Sequence, residues 1–113
     1  MSKGIFITGT GTDIGKTYVT GLIVKKLRES GADAAYYKAA MSGNERRVDG
    51  SLIPGDALQV KTMSGIGQPL EEMCPYVYET AVSPHLASRL EGNPVQMDRV
   101  LEDFHKVCEE YEY

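Results

Sequence analysis

One stretch, Thr8-Gly9-Thr10-Gly11-Thr12-Asp13-Ile14-Gly15-Lys16-Thr17, limits what this chain can fold into more than any other. A short apolar run, Gly4-Ile5-Phe6-Ile7-Thr8, enters a glycine-rich turn that ends in Gly-Lys-Thr. Apolar residues then recur at helical spacing: Val19, Leu22, Ile23 and Leu27. The pattern predicts a buried strand, a phosphate-binding loop and a helix over residues 18–28. Glycines let consecutive backbone N–H groups turn inward around phosphate oxygens, and the helix behind them adds its positive N-terminal end. Lys16 is placed to reach the β- and γ-phosphates, and the Thr17 hydroxyl to ligate the Mg²⁺ that bridges them. The spacing departs from the standard loop, which has four residues between its first glycine and Gly-Lys-Thr. Thr10 stands where that glycine would be, and Gly9 lies one position further back. The bland alternative is an ordinary glycine-rich strand-to-helix turn with a solvated lysine.

At 113 residues the chain is one domain at most, and 42% hydrophobic with 25% charged residues is an ordinary globular composition. A net charge of −4 with scattered basic residues argues against a nucleic-acid surface, whose affinity depends on clustered lysine and arginine. The doublets Lys25-Lys26 and Arg46-Arg47 read as solvated surface. Without a long apolar span or a charged-then-apolar leader, no membrane is expected and the cytoplasm is the default location. Cys74 and Cys108 are far apart, lack metal-ligand spacing, and read as reduced, structural thiols.

Ser30-Gly31 stops the first helix, and residues 32–38 read as a second strand ending in Tyr36-Tyr37-Lys38. A strand–loop–helix–strand unit implies a parallel sheet with right-handed crossovers and ligands at the carboxyl ends of its strands. Lys38 is therefore expected on the same edge as the phosphate loop. Residues 39–53 read as a surface loop leaving that edge. A short helix follows from Pro54-Gly55-Asp56 to about Met63, then an irregular stretch with Gly65, Gly67 and Pro69, then a short extended piece over residues 76–80. Ser83-Pro84 reads as an N-cap followed by proline in the first turn of a helix running to about Leu90 and ended by Gly92. In the last helix Met97, Val100, Leu101, Phe104, Val107, Cys108 and Tyr111 share one face. The expected fold is α/β, a P-loop NTPase-like parallel sheet flanked by helices. Two legible strands are too few for such a sheet, so residues 1–113 read as the N-terminal part of a single domain left incomplete.

Three further residues converge on the active edge. Lys38 offers an ammonium to an oxyanion or a transferring phosphoryl group, or is simply a surface lysine at a strand end. Asp56 offers the carboxylate oxygen that Mg²⁺ prefers, or complements the dipole of the helix it begins. Ser42 offers a substrate contact, or only meets water. His85 and His105 lack partners at ligand spacing, and read as a first-turn helix residue and a helix-surface residue respectively.

Taken together these residues resemble the dethiobiotin synthetase family. The correspondence runs through the loop at residues 8–17, Tyr37-Lys38-Ala39-Ala40-Met41-Ser42-Gly43, Gly55-Asp56-Ala57 and Ser83-Pro84-His85. That family's loop shares the five-residue gap before Gly-Lys-Thr. It commonly carries an acidic residue where Gly11 stands and Pro-Val where Ala39-Ala40 stand. The resemblance covers the whole chain but only about the first half of a family member. It implies ATP- and Mg²⁺-dependent carboxylation and ring closure of 7,8-diaminopelargonic acid with CO₂ or bicarbonate, through a carbamate and a carbamic-phosphoric anhydride. By position it implies catalytic roles for Lys16 and Lys38, nucleotide contacts from Asp13, Ile14, Gly15, Lys16, Thr17, Tyr18 and Asp56, and Mg²⁺ ligation by Thr17 and Asp56. Thr12 and Ser42 are implied as diamine contacts, and a homodimer as the assembly. A further metal-binding glutamate and the adenine contacts lie, in that family, beyond the residues matched here. The 113 residues alone are accordingly expected to turn over poorly or not at all. A non-catalytic nucleotide-binding regulatory domain is the alternative. A partitioning-type ATPase fits less well, because its signature lysine near the loop start would fall on Thr10 or Gly11.

Overall fold

The computed structural model describes residues 3–7, 15–80 and 82–113. Gly15 has φ 87°, a left-handed conformation that glycine enters without steric cost, and α1 (Lys16–Glu29) begins directly behind it. Lys26 and Arg28 in its last turn complement the negative end of the helix dipole. Gly31, at φ 93°, then reverses the chain, with its N–H on the Arg28 carbonyl.

The inner face of α1 is Gly21 and Val24, packed on α2 (Gly55–Ser64), which buries Ala57, Val60 and Ser64. The helices approach closely at Gly21: a Cβ on it would stand 2.7 Å from the Met63 sulfur, which would have to swing aside. A Cβ on Gly65, just past α2, would lie 3.4 Å from the Arg28 guanidinium. The C-terminal ends of the two helices therefore lie together, the helices run in the same sense, and their N-termini share one end of the pair. Val19 and Leu22, expected to carry the packing, are exposed, because α2 approaches over the face where Gly21 permits it.

The sheet is parallel, as expected, but its strands are β1 (Ala40–Met41) and β2 (Tyr76–Val77), with Ala40 beside Tyr76 and Met41 beside Val77. Between α2 and β2 lies a single turn, α3 (Leu70–Met73), too short to leave a periodic signal in the stretch read as irregular. Tyr76 N–H donates to the Ala39 carbonyl and Tyr78 N–H to that of Met41.

Two expected strands are corrected. Residues 32–38 form no strand, because their backbone partners are scattered: Ala35 N–H reaches the Tyr113 carbonyl, Tyr36 N–H the Gln68 side chain, and Lys38 N–H the Met73 carbonyl. A ladder needs successive partners on one neighbour. Residues 4–7 likewise form no strand, and Phe6, expected inside, is 88% exposed.

One apolar cluster gathers Val24, Ala57, Val60, Ile66, Met73 and Cys74, and a second gathers Tyr76, Tyr78 and Ala87. Ala87 comes from α4 (Pro84–Leu90), begun as expected by Ser83, whose hydroxyl accepts from Leu86 N–H at 3.4 Å. The last helix, α5 (Met97–Glu110), is amphipathic as expected, yet only Val107 on its apolar face is buried. Met97, Leu101 and Phe104 are exposed, with Phe104 set edge-on to Tyr37. Among the described residues no helix is long and apolar enough to cross a membrane.

Candidate functional site

A buried asparagine organises the site. Asn44 is 5% exposed, and its amide donates to the carbonyls of Met41 (2.9 Å) and Tyr78 (2.8 Å). Its side-chain oxygen accepts the N–H of Gly55 at 3.1 Å. One side chain thus binds the ends of β1 and β2 to the first residue of α2, and so fixes where Asp56 stands. Periodicity gave no hint of Asn44, since a buried polar anchor in a loop has no repeat to announce it. Its truncation leaves the Gly55 N–H without its partner and takes one of two donors from each carbonyl, so Asn44→Ala is expected to cost about 1–3 kcal/mol, read as a lowered urea midpoint at unchanged slope.

Lys38 precedes β1 by two residues rather than ending a strand, and its backbone is held by the 2.8 Å bond to Met73. Its ammonium reaches the Asp56 carboxylate at 2.5 Å, joining two of the residues singled out from sequence. The side chains are 42% and 25% exposed, so the pair faces solvent from the shared N-terminal end of α1 and α2. The negative charge of Asp56 is felt at its neighbours: burial first, and Asp56 second, push the Tyr36 phenol well above its ordinary range.

Lys16 and Thr17, both half-buried, occupy the first two positions of α1 at that end, and Gly15 caps it. Tyr18 is 55% exposed. Ser42 directly follows β1, and its hydroxyl donates to the Val82 carbonyl, toward α4. Thr12, Asp13 and Ile14 lie outside the described residues, as do the rest of positions 8–14. His85 and His105 are exposed on α4 and α5. Among the described residues no three histidine, cysteine, aspartate or glutamate side chains gather at one point.

The Asp56 carboxylate and the Thr17 hydroxyl, in the first turns of α2 and α1, are hard oxygen donors. Donors of this type suit a magnesium ion, which binds through one or two protein oxygens and takes the rest of its shell from water and phosphate. The soft donor nearby does not compete: burial above all pushes the Cys74 thiol up to about 12, although Lys38 pulls the other way. At pH 8 about one part in 10⁴ of that thiol is ionised, so Cys74 is expected to resist a disulfide reagent in the folded chain while the half-exposed Cys108 reacts. Two rapidly modified thiols per native chain would contradict this. A cleft of about 570 Å³ lies between Pro54, Lys61, Leu70, Cys74, Val77 and Arg99, and Lys16, Thr17, Lys38 and Asp56 do not line it.

Comparison with known proteins places the chain among named relatives. The ATP-dependent dethiobiotin synthetase BioD of Clostridium botulinum (strain Langeland / NCTC 10281 / Type F) is 50% identical over 113 residues, covering all of this chain and 49% of the relative. That of Clostridium novyi (strain NT) is also 50% identical, with all of this chain and 47% of the relative covered. The corresponding protein of Clostridium botulinum (strain Eklund 17B / Type B) is 47% identical at 49% coverage of its length. The chain spans about half the length of the curated relatives it matches. A family model described as an AAA domain matches residues 3–112, all but three positions, and by that match the chain belongs to the AAA domain family.

Proposed function

We propose that residues 1–113 form part of a single dethiobiotin synthetase domain, which carboxylates and cyclises 7,8-diaminopelargonic acid with CO₂ at the expense of ATP. The observation that carries this reading is the Lys38–Asp56 pair, set at the common N-terminal end of α1 and α2, where Lys16 and Thr17 also begin. Identity of about one residue in two with relatives named for this activity supports it.

In this reading Lys16, Thr17 and the loop before them bind the triphosphate of ATP, with Asp13, Ile14, Gly15 and Tyr18 contributing nucleotide contacts. Thr17 and Asp56 hold Mg²⁺, which supplies charge neutralisation to the phosphates when bound. Thr12 and Ser42 contact the diamine. One substrate amine adds to CO₂, losing a proton and forming a carbamate. A carbamate oxygen then takes the γ-phosphoryl group, releasing ADP. The second amine attacks the resulting mixed anhydride at its carbonyl carbon, and the ring closes as inorganic phosphate departs. Lys38 stabilises the carbamate and the transferring phosphoryl oxygens, both anionic, with a fixed positive charge. A homodimer in the cytoplasm is the expected setting.

The deciding assay measures phosphate release with Mg²⁺·ATP and bicarbonate, with and without the diamine, on this chain and on the longest form its source yields. Diamine-dependent release with dethiobiotin as product is expected from the longest form, and little or none from residues 1–113 alone. Nucleotide binding with no diamine dependence in the longest form would replace the synthetase by a regulatory nucleotide-binding domain.

A further inference from the structure

The Asp56 carboxylate is asked to serve two cations. In the structure its Oδ2 is taken by the Lys38 ammonium at 2.5 Å, yet the preceding reading assigns the same carboxylate to a metal. We propose that Asp56 serves them in turn: it holds Lys38 in reserve before the nucleotide arrives, and surrenders it when the metal takes the carboxylate. Lys38 then turns to the anionic substrate only in a loaded site. This rests on the reading of Asp56 as a metal ligand.

The two partners differ in freedom in the way such an exchange needs. Asp56 belongs to the first turn of α2, whose leading N–H is pinned by Asn44, so the carboxylate is the fixed member. The Lys38 backbone is also fixed, by its bond to Met73, but its ammonium rides on a four-carbon stem that is 42% exposed. The swing therefore requires no movement of the main chain. The bond to be broken is weak, since an ion pair this open to water resists separation by no more than about fivefold. A divalent ion on the same carboxylate repels the ammonium, and an adjacent phosphate or carbamate attracts it. Among the described residues Lys38 has no second carboxylate within ion-pair distance to hold it back.

Two measurements on the full chain test this. With ¹⁵N-labelled lysine, the Lys38 ammonium resonance, assigned by its loss in Lys38→Met, is followed during titration with Mg²⁺ and a non-hydrolysable ATP analogue. Separately, Mn²⁺ alone is titrated into the wild type and Lys38→Met by electron paramagnetic resonance. The expected results are a Lys38 resonance that shifts and exchanges faster with water as the metal complex saturates, and Mn²⁺ bound about two- to fivefold more tightly by Lys38→Met. A through-space repulsion without exchange would tighten Mn²⁺ binding but leave the resonance in place. An unmoved resonance, or equal or weaker Mn²⁺ affinity in the variant, overturns the proposal. Absence of metal binding overturns it together with the metal role of Asp56. Dethiobiotin formation by a chain whose Lys38 stays on Asp56 sinks the exchange alone. Exchange without diamine-dependent turnover sinks the synthetase reading alone.

Discussion

In the longest form its source yields, Lys38→Met is expected to lower diamine-dependent phosphate release by about 10²–10³-fold, the loss typical when one fixed charge is removed from where negative charge develops. Methionine keeps the length and the apolar stem and removes only the ammonium. Because the side chain is 42% exposed, its packing contribution is small and the fold should survive. Affinity for the nucleotide should change little, since Lys16 and the loop ahead of it carry the phosphate contacts in this reading. Steady-state kinetics with a parallel nucleotide titration separates the two effects. A variant retaining a tenth or more of wild-type turnover would remove Lys38 from the chemistry and leave it a surface cation that happens to neutralise Asp56.

Tyr78→Ala is expected to destabilise the chain by about 3–5 kcal/mol, the range for emptying a buried aromatic site. Tyr78 is completely buried, stacks beside Tyr76 with ring centres 6.4 Å apart, and donates its hydroxyl to the Asn93 carbonyl at 2.6 Å. Its own carbonyl receives both the Asn44 amide and the Asn44 N–H. The ring therefore joins β2 to the turn after α4, and its loss should reach the Asp56 end of the molecule through Asn44. Since small domains are stable by only about 5–15 kcal/mol, that is a large share of the margin. Tyr78→Phe, which keeps the ring, should cost about 1 kcal/mol. Chemical denaturation of both variants is the check, and equal midpoints for the two would show that the cavity is not what matters.

The four longer helices are legible in the sequence because each carries its own evidence, whereas the single turn of α3 carries none. Ser83-Pro84 marks the start of α4, Gly31 and Gly65 mark the ends of α1 and α2 at positive φ, and the apolar spacing of α5 is regular. Strands carry no such private evidence, because a strand exists only through its neighbour. Residues 32–38 have the composition of a strand, but their hydrogen bonds go to three different places. The pair that does form, Ala40–Met41 with Tyr76–Val77, is two residues long on each side and far apart in the chain. Lys38 and Asp56 stand out from residue type and motif alone, whereas their meeting depends on Asn44, whose three bonds only the folded chain reveals.

The common direction of α1 and α2 settles a difficulty that the composition raises. A chain of net charge −4 should repel a polyanion at long range. Each helix, however, presents roughly half a positive charge at its N-terminus. With both termini at one end, the backbone itself creates a local field opposite in sign to that of the molecule as a whole. Under the proposed function, a phosphate group arriving at that end meets these dipoles within the first turn of each helix, beside the Lys38–Asp56 pair. Added salt should weaken that local attraction.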